Sequence, residues 1–444
     1  MQASATTSRR TLLKSSALAV VLAAAGGQFH AAKARAQAYP FVPNQALVDA
    51  FLARRGGPIG TGGKPAVSFR CDHHLNKFQS LLLPLHRKYD IPVTLAFGSK
   101  SLQREVGADG SHLLTFPGIQ KLALENGFEI GNHGATHRDA ATSTELRAEI
   151  VHSKWDLEEA MPKLPVEMFV PPGVGGTRYG GFDGGRIQSD YQRYLAGRVI
   201  IANHAVSTGY IPGAWPMNGD PMSAVGAVHI NIENAPYANR GPDFVRAAAQ
   251  SGRGVNFMYH PNLIDPIDLH AIEGFFAWCA AERRVGRLEV LSSTGMMAAK
   301  FGSAQRHNML SSTASFSGGW NGWNGSTANW ALLTEGGTRY ARRGSGSTSL
   351  SKDVNVGSYA GSTRQLRIPL RSTTGASVRI EILDAASPSR LLITRDATLP
   401  KSANFADINH YLTLPLRDTA RLRVRITPRS GGEIHLHEPK LLAA

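Results

Sequence analysis

The stretch Val67-Ser68-Phe69-Arg70-Cys71-Asp72-His73-His74 is an apolar, β-rich run that stops abruptly in one acid and two histidines. It belongs to a series of short runs at residues 66–70, 93–97, 128–132, 167–171, 198–203, 227–232, 255–260 and 288–292. Their starts fall about thirty residues apart, the length of one strand plus a crossover helix. Helical spacing fills several gaps: Phe78, Leu81, Leu82 and Leu85 share one face, as do Leu146, Ile150, Leu157 and Met161. Thr142-x-x-Glu145 is a capping box that opens the second of these helices. Strands alternating with helices predict an α/β fold, a distorted (β/α) barrel of roughly seven to eight strands.

The pattern changes after about residue 301. Residues 311–349 are rich in Ser, Gly, Asn, Thr and Trp, and alternating segments follow at 365–370, 377–383, 390–395, 411–416, 421–426 and 433–437. Strands separated by Gly, Pro and Asp turns, with no helices between them, predict an all-β sandwich, whose strand pattern loosely resembles a carbohydrate-binding jelly roll. We therefore assign residues 39–305 to the barrel and 306–444 to the sandwich. Deleting the second unit is then expected to leave a soluble barrel. Trp320, Trp323, Trp330, Tyr340 and Tyr359 are candidates for stacking on sugar rings, or else they form the sandwich core. Arg339, Arg342 and Arg343 would meet an anionic glycan or simply water.

A chain of 444 residues exceeds what one hydrophobic core usually supports. With 42% hydrophobic and 18% charged residues it is neither a disordered chain nor a polytopic membrane protein. Two cysteines exclude a disulfide scaffold, and Cys71 and Cys279 read as buried free thiols. Residues 1–38 read as a removable twin-arginine export signal, around Ser8-Arg9-Arg10-Thr11-Leu12-Leu13-Lys14 and an alanine-rich run too short to span a bilayer. The protein is accordingly expected in the periplasm or outside the cell, with no transmembrane segment in the mature chain. The net charge is +15; five of the cations lie in that signal, so the remainder carries about +10. Such a surface attracts polyanions. Nucleic acid is a poor explanation, since no recognition motif accompanies the charge.

In a β/α barrel, function collects where strands end. The first predicted strand ends in Asp72-His73-His74. The third ends in Asn132-His133-Gly134-Ala135-Thr136-His137, the fourth in Val170-Pro171-Pro172-Gly173, and the seventh in Met258-Tyr259-His260. Two histidines four apart can converge on one cation if the turn is helical, and a third donor from another strand completes a zinc site with an open position. Sixteen histidines beside two cysteines favour imidazole ligands. The expected ligands are His133 and His137 with His73, or His74 if His73 points away.

These motifs resemble the polysaccharide deacetylase family (the NodB homology domain, carbohydrate esterase family four), over about residues 64–300. Arg70-Cys71-Asp72-His73-His74 stands where the family has Thr-Phe-Asp-Asp-Gly. His133-Gly134-Ala135-Thr136-His137 matches His-Ser/Thr-x-x-His. Val170-Pro171-Pro172-Gly173 replaces Arg-Pro-x-Tyr, and the run to His260 matches the fifth motif. The resemblance implies that Asp72 is the general base and His260 the general acid, and that Gly173 offers an oxyanion N–H. It also places a metal, most simply Zn2+, on His73, His133 and His137. Val170 stands where the family has an arginine that steadies the aspartate, and Arg70 is the candidate substitute. Arg70, Pro172, Trp215 and Tyr259 are candidate substrate contacts. The family's fourth motif supplies an acid behind the histidine; Asp220 and Asp243 are weak candidates for it. The implied activity is metal-dependent removal of N-acetyl groups from an amino-sugar polysaccharide, an exopolysaccharide or cell-wall glycan. The alternatives are a small-amide amidase of the same superfamily and an inactive glycan-binding protein.

Overall fold

In a computed structural model the chain is described at residues 44–101, 115–310, 316–325, 329–344, 346, 348–430 and 432–444. The export signal lies outside these residues. Seven parallel strands form a curled sheet: β1 (Ala66–Asp72), β2 (Thr94–Phe97), β3 (Glu129–Asn132), β4 (Met168–Phe169), β5 (Val206–Ser207), β6 (Ile230–Asn231) and β7 (Arg253–Tyr259). Their order across the sheet is β5-β4-β3-β2-β1-β7-β6, so neighbours in space follow the chain except where β1 joins β7. The open edges meet through a bridge between Ile211 and Ala227, with Gly226 N–H donating to Ser207 O at 2.8 Å. Gly226 has φ +79°, and a Cβ there would stand 2.6 Å from Ile211 Cδ1, so the seam closes only with glycine.

β1 runs through the middle of the sheet. Val67, Phe69 and Cys71 face outward into the largest apolar cluster, against Phe257, Phe275 and Phe276. Period-two alternation turns Ser68, Arg70 and Asp72 the other way, into the barrel interior. The capping box forms as expected, with Thr142 accepting from Glu145 N–H and Glu145 reaching back. Cys71 and Cys279 are buried and free.

Two strand assignments change. Residues 198–203 belong to a helix, Leu195–Asn203, and the strand follows at β5. Ala196, Gly197, Ile200 and Ile201 are its buried residues, a helical spacing that a short apolar run conceals. The eighth run yields β8 (Glu289–Val290), which pairs with the start of β1 on the side where β2 pairs further along. It is therefore not an eighth stave.

The C-terminal part is a sandwich of two antiparallel sheets. Its strands are β9 (Trp330–Glu335), β10 (Thr338–Arg343), β11 (Leu350–Asn355), β12 (Thr363–Arg371), β13 (Ala376–Asp384), β14 (Leu391–Leu399), β15 (Ala406–Thr413), β16 (Arg421–Pro428), β17 (Ile434–Leu436) and β18 (Lys440–Ala443). One sheet has the order β9-β10-β17-β12-β15 with β18 also on β12, and the other β11-β16-β13-β14. Trp323, Trp330 and Tyr340 are buried, and Trp330 Nε1 donates to Thr348 O at 2.9 Å. Tyr359 lies against His307 at 4.2 Å between ring centroids. Of the two readings for these rings, core packing holds for Trp323, Trp330 and Tyr340, while Trp320 and Tyr359 pack partly buried against the same core. Arg343 is buried and donates to Ser430 O and Gly432 O, and Arg342 pairs with Glu433.

The two parts share buried polar contacts, contrary to the expectation of a separable barrel. Tyr411 Oη donates to Val290 O at 2.7 Å, and Thr413 Oγ1 to Phe128 O at 3.1 Å. Asp90 takes both Nη groups of Arg395, and His410 lies against Glu125 O at 2.7 Å. A Cβ on Gly127, at φ +66°, would stand 2.5 Å from Tyr411 Cβ. Beneath the strands, buried Arg55 pairs with Glu167 at 2.9 Å, while Arg364 donates to Arg54 O at 2.7 Å. Deleting 306–444 would expose Phe128, Val290 and their unpaired carbonyls, at roughly 1–3 kcal/mol for each group left unsatisfied. The deletion is thus expected to yield an aggregated or molten barrel; gel filtration and near-UV circular dichroism of the truncated protein check this.

Candidate active site

The side chains with chemistry gather where β1, β3, β4, β6 and β7 end. His73 follows β1 at φ 59°, and His74 follows it at φ 51°. Two successive non-glycine residues in the left-handed region are uncommon and mark an over-determined backbone. His133 follows β3, and His137 lies four residues on, at φ 57°. The segment between them is not a helical turn but a bent loop. Buried Glu149 holds it, accepting from Ala135 N–H at 2.9 Å, Thr136 N–H at 3.0 Å and Thr136 Oγ1 at 2.6 Å. Ser153 Oγ adds a bond to Gly134 O at 2.7 Å.

This loop brings His133 and His137 to His73. Ring centroids are 4.4 Å apart for His73–His133, 4.4 Å for His73–His137 and 5.1 Å for His133–His137. One nitrogen from each lies within 4.8 Å of the others. His133 Nδ1 is engaged with Val170 O at 2.8 Å, which leaves Nε2 to face the cluster. Burial, reinforced by the other imidazoles, pushes His73 down to about 3 and His133 well below the ordinary value; burial lowers His137 too. Three neutral imidazoles converging on one point fit a divalent ion of the zinc type. His74 lies outside the cluster, its ring 6.2 Å from that of His73.

Asp72 stands beside these rings, 3% exposed. Arg70, two residues earlier on the same strand face, grips it with Nε on Oδ1 at 2.7 Å and Nη2 on Oδ2 at 2.8 Å. Burial alone would raise this carboxyl; Arg70, His133 and His260 outweigh it and hold it well below the usual carboxylate range. Arg70 therefore occupies the steadying place that Val170 cannot fill. Being buried and fully engaged, it is not a substrate contact as its alternative reading had it.

His260 follows β7, and Glu233 follows β6. The Glu233 carboxylate accepts from His260 Nδ1 at 2.8 Å and from His260 N–H at 2.9 Å through the same oxygen. Burial would lower His260, but the Glu233 hydrogen bond and charge, with Asp72, carry it above the ordinary histidine value. Glu233 escaped the sequence reading, though it comes directly after the predicted strand at 227–232. Asp220 instead caps a short turn by accepting from Met222 N–H, and Asp243 pairs with Arg246 at the surface.

Residues 60–179 match the polysaccharide deacetylase family. The chain is similar in fold to a mutant of the peptidoglycan deacetylase PdaC from Bacillus subtilis. The two are 12% identical over 52% of this chain and 90% of that one, with TM-score 0.30. A CE4 family pseudoenzyme from Bacillus anthracis gives 13% identity over 53% and 66%, with TM-score 0.31. A structure described as "CBM4 structure and function" gives 13% identity over 28% of this chain and 86% of that one, with TM-score 0.24. No curated protein matches the sequence.

Pro172 and Gly173 border an open cleft of about 100 Å³ with Tyr210, Arg178 and Arg186. Gly173 is exposed. Two expected substrate contacts are not in it. Tyr259 is fully buried with its hydroxyl on His86 Nε2, because period-two alternation turns it outward from β7. Trp215 is fully buried, donating Nε1–H to Val228 O at 2.6 Å. Among the described residues no helix is long and apolar enough to cross a membrane.

A His133→Ala/His137→Ala double variant is expected to lose divalent-metal binding, and His74→Ala to retain it. Elemental analysis of the purified proteins distinguishes the two.

Proposed function

We propose that this chain is an exported, zinc-dependent deacetylase that removes N-acetyl groups from an amino-sugar polysaccharide. The observation that carries the reading is the convergence of three neutral imidazoles on one point, flanked by an arginine-clamped carboxylate and a glutamate-backed histidine. A bound divalent ion supplies Lewis acidity there, toward a water and an acyl oxygen. His73, His133 and His137 hold it.

Asp72 takes the proton of the attacking water. Its clamp lowers its intrinsic basicity, so what Arg70 contributes is orientation, and the acidity must come from the other side of the proton transfer. His260, whose protonated form Glu233 favours, gives its proton to the leaving amine. An amine cannot depart as an anion, so this step matters more for an amide than for an ester. Gly173 N–H is available to the developing oxyanion, a role that Pro171 and Pro172 cannot take. An open cleft rimmed by Tyr210 and by the charged groups of Arg178, Asp183 and Arg186 suits a long, hydrated glycan better than a small apolar amide. Export through the twin-arginine route delivers a folded, metal-loaded protein to that substrate.

The reading is tested by acetate release from N-acetylated amino-sugar polymers against small acetamides, with and without zinc. Zinc-dependent release from polymers is expected; release from small amides alone overturns the polysaccharide assignment. Asp72→Asn is expected to keep the metal and lose about 10²–10⁴-fold in rate. Metal loss in that variant would make Asp72 a ligand. Glu233→Gln removes the charge that raises His260. The alkaline limb of the rate profile, where His260 gives up its proton, is then expected to move to lower pH.

A further inference from the structure

The Arg70 guanidinium reaches past Asp72. Its Nη1 donates to Thr208 Oγ1 at 3.0 Å, and its Nη2 meets His229 Nδ1 at 3.1 Å. A guanidinium has donors only and keeps its proton in proteins, so the imidazole nitrogen is the acceptor. An imidazole that accepts at Nδ1 carries its hydrogen on Nε2 and is neutral. Protonating Nδ1 would set two cations nose to nose. Burial, and then the Arg70 charge, accordingly push His229 down to about 3.

The other end of this ring is unused by the chemistry above. His229 Nε2 makes no hydrogen bond among the described residues, yet it is not shut in as His204 Nδ1 is. The residue is half-buried just ahead of β6, four residues before Glu233. Its ring lies 6.0 Å from that of Tyr210, whose hydroxyl stands 3.6 Å from the point where a Gly173 Cβ would be. Asp72, His260 and Arg70 are the charged groups that act on it. A donor fixed in direction and free of charge thus stands beside the clamped carboxylate and next to Tyr210, which itself lines the cleft at Gly173.

We propose that His229 is a substrate-binding residue whose Nε2–H, locked in place by Arg70, takes an acceptor oxygen of the acetylated sugar. A neutral N–H suits an uncharged hydroxyl or acetyl carbonyl, which a hydrated lysine would bind with less directional control. The inference rests on the deacetylase reading and deepens it.

Two amide variants separate the two ends of the ring. His229→Asn keeps an acceptor at the Nδ1 position for Arg70 and removes the donor. His229→Gln places an amide N–H near the Nε2 position. Kinetics are measured with an N-acetylglucosamine tetramer and with 4-nitrophenyl acetate, which has no sugar oxygens. His229→Asn is expected to raise KM for the tetramer about three- to tenfold, the scale of one hydrogen bond. That rise should exceed any change on the aryl ester by the same factor, with His229→Gln recovering most of it. A wild-type-like KM in His229→Asn, or equal losses on both substrates, overturns the proposal and makes His229 a prop for Arg70. Wild type that cleaves neither substrate overturns the deacetylase reading. His229 is then judged by nitrogen-15 NMR of the holoprotein titrated with the tetramer: a shifted Nε2–H resonance upholds it, and an unmoved one overturns it.

Discussion

The buried pair of Arg70 and Asp72 is the interaction around which this site is built. A carboxylate 3% exposed at the end of the central strand would shed its charge without a partner. Arg70 supplies one from the same strand, two residues away, at 2.7 and 2.8 Å. Because both side chains leave one strand face, their relative position is fixed by the pleat and needs no loop to hold it. Val170 stands at the position where the resemblance to the deacetylase family led one to expect a steadying arginine. The backbone of Val170 is still used, to orient His133 through Nδ1.

From that pair the polar network spreads across the barrel mouth. Thr208 and His229 finish the guanidinium, and Glu233 sits one short strand beyond, beneath His260. Two carboxylates with opposite partners are driven to different tasks. Asp72 faces a permanent cation and stays ionised, and Glu233 faces a titratable imidazole and favours its charged form. Sites that separate an acid from a base do so through such differences in surroundings.

The loop carrying His133 and His137 is held in place by side chains outside the imidazole cluster. Glu149 collects two backbone N–H groups and a hydroxyl, and Ser153 holds the Gly134 carbonyl. Three neutral imidazoles would leave the full charge of a divalent ion held between them uncompensated by its own shell. Asp72, close by but committed to Arg70, is the nearest countercharge. The C-terminal sandwich meets the barrel at the opposite end of these strands, where Phe128 and Val290 receive hydrogen bonds from Thr413 and Tyr411. It therefore supports the strands that carry the site without touching the site.

Local periodicity made the barrel and sandwich readable, because strand-and-helix spacing and strand-and-turn spacing are properties of short windows. The strand-end rule likewise placed Asp72, His73, His133, His137 and His260 at one mouth. It would have found Glu233, which follows a predicted strand directly. The helix over Leu195–Asn203 was hidden because a short apolar run fits both periods, and only the packing of Ile200 and Ile201 chooses between them. Trp215 and Tyr259 were misplaced because residue type does not say which side of a strand faces the barrel interior. The pairing of Glu233 with His260 joins two strands 27 residues apart, and that of His229 with Arg70 spans 159 residues. Such distances in sequence carry no local signal, and a hydrogen bond with one defined partner exists only once the sheet has curled to bring the strand ends together.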